Sequence, residues 1–184
     1  PVEAIRQEVR SLMRLIMNLL DISKSEEGRL TPAAAGVDLA ALVAEAFDAM
    51  EVAAKAKNIT FEQELDVTRL RGDADLLRRV LENLLDNALR HAPEDSSIRV
   101  TSRLCDGSVE LRVADQGAGV PESMRERVFD PFVQVESKDR SVTRSGRGLG
   151  LTFCRLAVEA HGGRMRVENG NPGAVFCLSL PHAE

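Results

Sequence analysis

Along the N-terminal segment, apolar positions recur every three or four residues: Val2, Ile5, Val9, Leu12, Leu15, Ile16, Leu19 and Ile22, with Met13, Met17 and Leu20 widening the stripe. That period predicts a helix over residues 2–27, stopped by Gly28 and Pro32. The stripe is wider than one flank of a small domain needs, so a partner helix is expected. A chain opening at Pro1 inside such a pattern reads as a piece of something longer. Residues 31–37 are mostly small and read as a linker. Beyond them the pattern predicts an amphipathic helix over 39–57 with Asp38 as its N-cap, a strand over 58–65 and a short extended piece over 69–72. A second long helix is expected from Asp73 to about His91, with Pro93 ending it. Alternation in period two marks strands over 98–104 and 109–114, joined by the turn signal Asp106-Gly107. A short helix over 121–128, a helix over 149–160 closed by Gly162-Gly163, and a strand pair over 164–168 and 174–180 complete the chain. The order mixes helices with hairpins, which predicts an α/β (α+β) two-layer sandwich, one mixed sheet covered by helices on one face, with the long helix appended.

Composition narrows the class. The chain has 184 residues, 43% of them hydrophobic, enough for a sizeable core. Its net charge of -5 argues against wholesale nucleic-acid binding. Cys105, Cys154 and Cys177 are widely spaced among mostly apolar neighbours, which predicts reduced thiols in a cytoplasmic setting rather than a metal site. No apolar run approaches the ~20 residues of a membrane helix, so no membrane contact is expected of this segment.

The candidate chemistry lies in three stretches. On the helix ending at His91, Asn83, Asn87 and Arg90 share a flank, and His91 follows Asn87 by four. A carboxamide oxygen is a neutral, hard ligand suited to a magnesium ion that already carries phosphate oxygens and waters. Arg90 and His91 could meet the phosphate charge. Solvated polar residues on an amphipathic helix are the plainer alternative, and Glu82 is either a bystander or a helper to water. The second stretch is Asp115-Gln116-Gly117-Ala118-Gly119, into which a strand runs directly. A buried carboxylate there can accept a hydrogen bond from an exocyclic amine such as adenine N6, where guanine would present a carbonyl; an ordinary acidic turn is the alternative. The third is Gly146-Arg147-Gly148-Leu149-Gly150-Leu151, directly before a helix whose free amides can hold a triphosphate. It lacks the Gly-Lys-Ser/Thr of the lysine-bearing phosphate loop and has the wrong spacing for a dinucleotide fingerprint. Residues 133–145, with Lys138, Arg140 and Arg144, are too polar to pack and fit either a mobile lid or a plain loop.

These stretches, together with Phe129-Asp130-Pro131-Phe132, resemble in order and spacing the four nucleotide boxes of the catalytic and ATP-binding domain of sensor histidine kinases. That superfamily also includes type II topoisomerases, heat-shock chaperone ATPases and mismatch-repair ATPases. The resemblance covers residues 36–181. It implies the Bergerat ATP-binding fold, with ATP and magnesium as cofactors and a division into a partial hairpin helix over 1–30, a linker over 31–37 and a catalytic domain over 38–184. By the same resemblance Asn87 is the best magnesium ligand and Asn83 supports the metal or its waters. Arg90 and His91 contact phosphate. Asp115 reads the adenine amine, and Gly117 and Gly119 shape its pocket. Arg144, Gly146, Arg147, Gly148, Leu149 and Gly150 hold the phosphate side of the lid.

Residues 2–27, with Leu19-Leu20-Asp21-Ile22-Ser23, resemble the second helix of the family's dimerisation and phosphoacceptor hairpin. The implied partners are a cognate response regulator and the protein's own hairpin, as a homodimer. Two departures stand out. The acceptor histidine lies on the other hairpin helix in the family, and the histidines here are His91, His161 and His182. Gly173-Ala174 stands where the family usually has Gly-Thr. The expected activity is transfer of the ATP γ-phosphoryl group to a hairpin histidine. A serine kinase of the anti-sigma type and a catalytically silent nucleotide-sensing scaffold are the alternatives.

Overall fold

A computed structural model of the chain describes residues 2–134 and 148–183. Helix α1 spans Val2–Glu26. A five-stranded sheet follows the order β2-β4-β5-β7-β6, from β2 (Thr60–Leu65), β4 (Ser97–Cys105), β5 (Ser108–Ala114), β6 (Arg164–Asn169) and β7 (Ala174–Pro181). Only β2 and β4 run parallel in it, so the sheet is mixed as expected. A separate two-stranded ribbon pairs β1 (Ala35–Asp38) with β3 (Arg69–Gly72).

Helices α2 (Leu39–Ala56), α3 (Ala74–His91) and α4 (Gly150–Ala160) cover one face of the sheet. Alternation along the strands explains the layering. Ile98, Val100, Val109, Leu111, Val113, Phe176, Leu178 and Leu180 are buried with the helices. The opposite face carries Arg103, Glu110, Arg112, Arg166 and Glu168, which pair across strands. Helix α3 is central: Leu77, Val80, Leu81, Leu84, Leu85 and Ala88 form one buried stripe, while Asn83, Asp86, Asn87 and Arg90 stay partly exposed on the other. Phe47 stacks on Phe61 at 4.6 Å, joining α2 to the outer strand β2.

Three local expectations change. The tail of the small-residue stretch is strand β1, because Val37 is buried once it pairs with Leu70. Residues 121–128 hold no continuous helix but two 3₁₀ turns, Glu122–Met124 and Arg127–Phe129, since Val128 and Phe129 must point into the core. Strand β2 starts at Thr60, after Asn58 takes a left-handed turn at φ 52°. The hairpin turn at Asp106-Gly107 forms with both residues at positive φ, as a type I′ turn requires. On α1, Val9, Leu12, Met13, Ile16, Met17, Leu19 and Leu20 remain exposed. No described helix is long and apolar enough to cross a membrane.

Helix α3 owes its start to Asp73. One oxygen of Asp73 accepts from the amides of Asp75 and Leu76, both at 3.1 Å, and the other from Ala33 at 3.0 Å. Burial pushes this carboxyl up, but the amide donors more than offset it and hold its pKa below the ordinary aspartate value. Asp73→Ala should therefore cost about 1 kcal/mol or somewhat more in chemical unfolding. A depressed carboxyl stabilises above its unfolded pKa and loses that contribution as the pH falls through its folded one. Asp73→Asn should accordingly show a shallower stability loss on acidification below about pH 4 than the wild type.

Candidate functional site

The site forms where the end of α3, the end of β5 and the start of α4 converge. Strand β5 delivers Asp115, which is 4% exposed. Its Oδ1 accepts from the amides of Gly117 at 2.7 Å and Ala174 at 3.3 Å. No described residue donates to Oδ2, which leaves that oxygen open to an outside donor. Burial raises the Asp115 pKa; the two amides and nearby His91 oppose the rise without cancelling it. The arrangement requires a glycine at 117, because a Cβ there would come within 2.5 Å of the His91 carbonyl oxygen.

At its C-terminal end, α3 is closed by Lys57, whose ammonium donates to the carbonyls of Leu89 at 2.7 Å and Ala92 at 3.4 Å. His91 is exposed at its edge, yet desolvation lowers its pKa, with the Asp115 carboxylate opposing the shift. Its electrostatic neighbour is thus the buried Asp115 carboxylate. Arg90 is held by Asp86 at 2.5 Å. The two carboxamides differ. Asn83 is engaged, donating to the Arg79 carbonyl at 2.7 Å and accepting from Asn18 at 3.3 Å. The Asn87 amide has no hydrogen-bond partner among the described residues and is free for a ligand.

Helix α4 begins at Gly150 after Leu149, with no side-chain cap, so its first amides are open to an anion. Gly148 adopts φ +68°, and a Cβ there would sit 2.8 Å from the Phe132 backbone, so the turn needs glycine for conformation and for space. Its carbonyl accepts from the Phe132 amide at 3.0 Å and the Thr152 hydroxyl at 3.4 Å. Arg144, Gly146 and Arg147, and the lid expected between residues 133 and 145 from position 135 onward, lie outside the described residues. Among the described residues no three His, Cys, Asp or Glu side chains converge on a metal position. A divalent ion here would need the nucleotide's own oxygens. A cleft of about 370 Å³, lined in part by Asp21, Lys24, Arg29 and Asp73, lies at the other end of α3 and holds none of the site groups.

Sequence reading did not reveal the support of the Asp115 turn. The β6–β7 loop presses Gly173 so closely on the Asp115 carbonyl that a Cβ would lie 1.8 Å from it. Asn169 Oδ1 accepts from the Val120 amide at 2.9 Å and fixes the exit of the turn around Gly119. The Asn-Gly-Asn-Pro-Gly run at 169–173 reads as a turn in the sequence, but nothing in it points to partners as remote as Val120, 49 positions away, or Asp115. Ala174 serves Asp115 through its backbone amide, so its departure from threonine leaves that contact intact.

The family model of the histidine kinase-, DNA gyrase B- and HSP90-like ATPases matches residues 72–184. The alginate biosynthesis sensor protein KinB of Pseudomonas aeruginosa is 34% identical over 183 residues, covering 98% of this chain and 30% of its own length. The chain thus spans under a third of that relative. Among solved structures, the nucleotide-free catalytic domain of histidine kinase ThkA superposes with a TM-score of 0.72 at 30% identity, over 81% of this chain and 95% of that one. Full-length ShkA in complex with AMPPNP superposes with a TM-score of 0.81 at 27% identity, over 99% of this chain and 38% of that one.

Asp115→Asn should weaken adenine-nucleotide binding by on the order of 1–3 kcal/mol in calorimetry, because a charge-assisted acceptor is replaced by a neutral one. Discrimination against GTP should relax with it. Because the raised pKa removes the carboxylate as the pH falls, wild-type affinity should decline on acidification from above the ordinary aspartate range. The Asn variant should not follow that decline.

Proposed function

From its place in the sensor histidine kinase branch of the histidine kinase-, DNA gyrase B- and HSP90-like ATPases, the family to which this chain belongs, we infer that it binds ATP with magnesium and supplies the phosphoryl-transfer site for a histidine on a dimerisation hairpin. The observation that carries this reading is Asp115. A buried carboxylate is pinned at one oxygen by two amides while the other is open, as reading an exocyclic amine requires. Its neighbours divide the remaining work. Gly117 and Gly119 shape the base pocket with His91 at its edge, and the uncapped start of α4 with Gly148, Leu149 and Gly150 faces the phosphates. Arg90 can leave Asp86 for phosphate at little cost, since a partly exposed ion pair contributes little.

The unpartnered Asn87 amide fits magnesium, which when bound neutralises charge on the transferred group. The protein's own contribution is position and fixed dipoles. Among the histidines, His161 is engaged at both ring nitrogens, by the Ala157 carbonyl at 2.6 Å and the Asp73 amide at 2.9 Å, and His182 bridges to Leu70. That occupies the His161 ring, whereas His182 pairs through its backbone alone; it is the family resemblance that assigns the acceptor to the hairpin helix pairing with α1. Residues 1–30 are accordingly the hairpin part, with its partner copy in a homodimer, and the segment from 38 onward is the catalytic domain. A response regulator is the downstream partner; ThkA has been solved in complex with its response regulator TrrA. A cytoplasmic location accords with such a partner. No observation favours a serine kinase or a silent scaffold.

Asn87→Ala should raise the dissociation constant for Mg-ATP about tenfold or more while leaving metal-free ATP nearly unchanged. Calorimetry with and without magnesium decides it; equal losses in both conditions would give Asn87 a packing role. Phosphate transfer from γ-labelled ATP to a supplied acceptor hairpin then tests the activity itself.

A further inference from the structure

Helix α1 does not merely precede the catalytic domain. Two of its polar side chains, Asn18 and Asp21, are 3% and 4% exposed, buried against α3 and α4. The Arg79 guanidinium of α3 donates to Asp21 Oδ2 at 2.5 Å and to Asn18 Oδ1 at 2.9 Å. It lies 4.2 Å over the Phe153 ring of α4. Lys24 reaches the other Asp21 oxygen at 3.4 Å. Asn18 then hands the network on, because its Nδ2 donates to Asn83 Oδ1 at 3.3 Å. The Asn83 carboxamide is thereby fixed at both ends, with its nitrogen on the Arg79 carbonyl and its oxygen against Asn18. That oxygen also lies where a Cβ on Gly150 would approach it to 2.9 Å, at the start of α4.

We propose that Asn18 is a positioning residue for the magnesium end of the nucleotide site: docked α1 sets the orientation of the Asn83 carboxamide and the seat of α4 beside it. The proposal rests on the reading of that end of α3 as the metal side. Asn83 is one helical turn from the free Asn87 amide and in contact with the helix whose amides face phosphate. A carboxamide held at both its nitrogen and its oxygen keeps one orientation; without Asn18 only the nitrogen stays held, by the Arg79 carbonyl, and the oxygen is free to swing. Linkage makes the effect reciprocal, so bound Mg-ATP strengthens α1 docking by the factor by which docking strengthens Mg-ATP.

The test uses the full 184-residue chain. Asn18→Leu removes the donor to Asn83 and leaves the Arg79–Asp21 pair. It should weaken Mg-ATP about fivefold or more and leave metal-free ATP within twofold, about the reproducibility of a binding constant when 1.4 kcal/mol is tenfold. Asn83→Ala should show a similar metal-dependent loss. The double variant should lose no more than Asn83→Ala alone, because the two act through one contact. Docking is read separately from spin labels at the exposed positions 9 and 52 in a background without the exposed thiol of Cys105. Asp21→Asn should broaden that distance, and Mg-ATP should narrow it again. Wild-type Mg-ATP affinity in Asn18→Leu, equal loss with and without metal, or additive losses in the double variant would overturn the proposal. A wild-type chain that binds no ATP would overturn the nucleotide reading itself, a distinct outcome.

Discussion

Burying one carboxylate sets the terms for the rest of the site. Asp115 has lost nearly all contact with water, and an unpaired charge in that position would cost several kcal/mol. Among the described residues no cation is paired with it. Two backbone amides and the charge of nearby His91 oppose the desolvation and fall short of cancelling it, since the pKa stays raised. The amides come from very different distances along the chain. Gly117 is two residues on, and Ala174 is delivered by β7, the strand hydrogen-bonded beside β5. The sheet order therefore follows the same demand as the site. Only an antiparallel β5–β7 pair brings the start of β7 to the end of β5, and only glycine at 173 allows the approach. A carboxylate left under-compensated in this way has unmet capacity for a donor, which is what a binding group needs and a structural group does not.

Helix α3 transmits the arrangement. Its buried leucine stripe fixes its height on the sheet, so the opposite flank is held with little freedom. That flank carries the Asn83, Asn87, Arg90 set at one end and Arg79 toward the other. The N-cap by Asp73 and the C-cap by Lys57 secure both ends. The capping interactions involve the β1–β3 ribbon region and the end of α2, which is why segments remote in sequence matter to one functional surface.

How much of this could be read in advance follows the range of the interactions. The amide flank of α3 and the strand-to-glycine turn at Asp115 were legible because their logic is local: spacings of three and four on a helix, and period two ending in Gly-Ala-Gly. The mixed sheet under helices was legible for the same reason. Strand β1 was not, since Ala35 and Gly36 carry no strand propensity and pair only because β3 lies alongside. The 3₁₀ turns Glu122–Met124 and Arg127–Phe129 read as one helix over 121–128 in the sequence because so short a polar and apolar stretch suits either form, and the anchoring of Phe129 decides it. The separate fates of Asn83 and Asn87 were beyond the sequence altogether. They are alike in type and flank, and what separates them is Asn18, 65 positions from Asn83.

That separation bears on how the two parts of the chain associate. Helix α1 keeps a row of exposed apolar residues, and among its described side chains it buries the polar Asn18 and Asp21, which Arg79 joins, beside a single apolar one, Ile22. Apolar contact would have given a comparable or larger stabilisation without the desolvation penalty of a buried ion pair. Polar contact gives direction instead: a guanidinium that must satisfy a carboxylate and a carboxamide while lying over a ring admits few orientations. It also changes the consequences of parting. Separated apolar faces expose surface that favours re-association with any similar face, whereas separated polar groups are solvated by water and leave no adhesive patch. An interface in which buried polar groups set the geometry is therefore specific when closed and tolerates being open, properties that would suit the phosphoryl transfer proposed above.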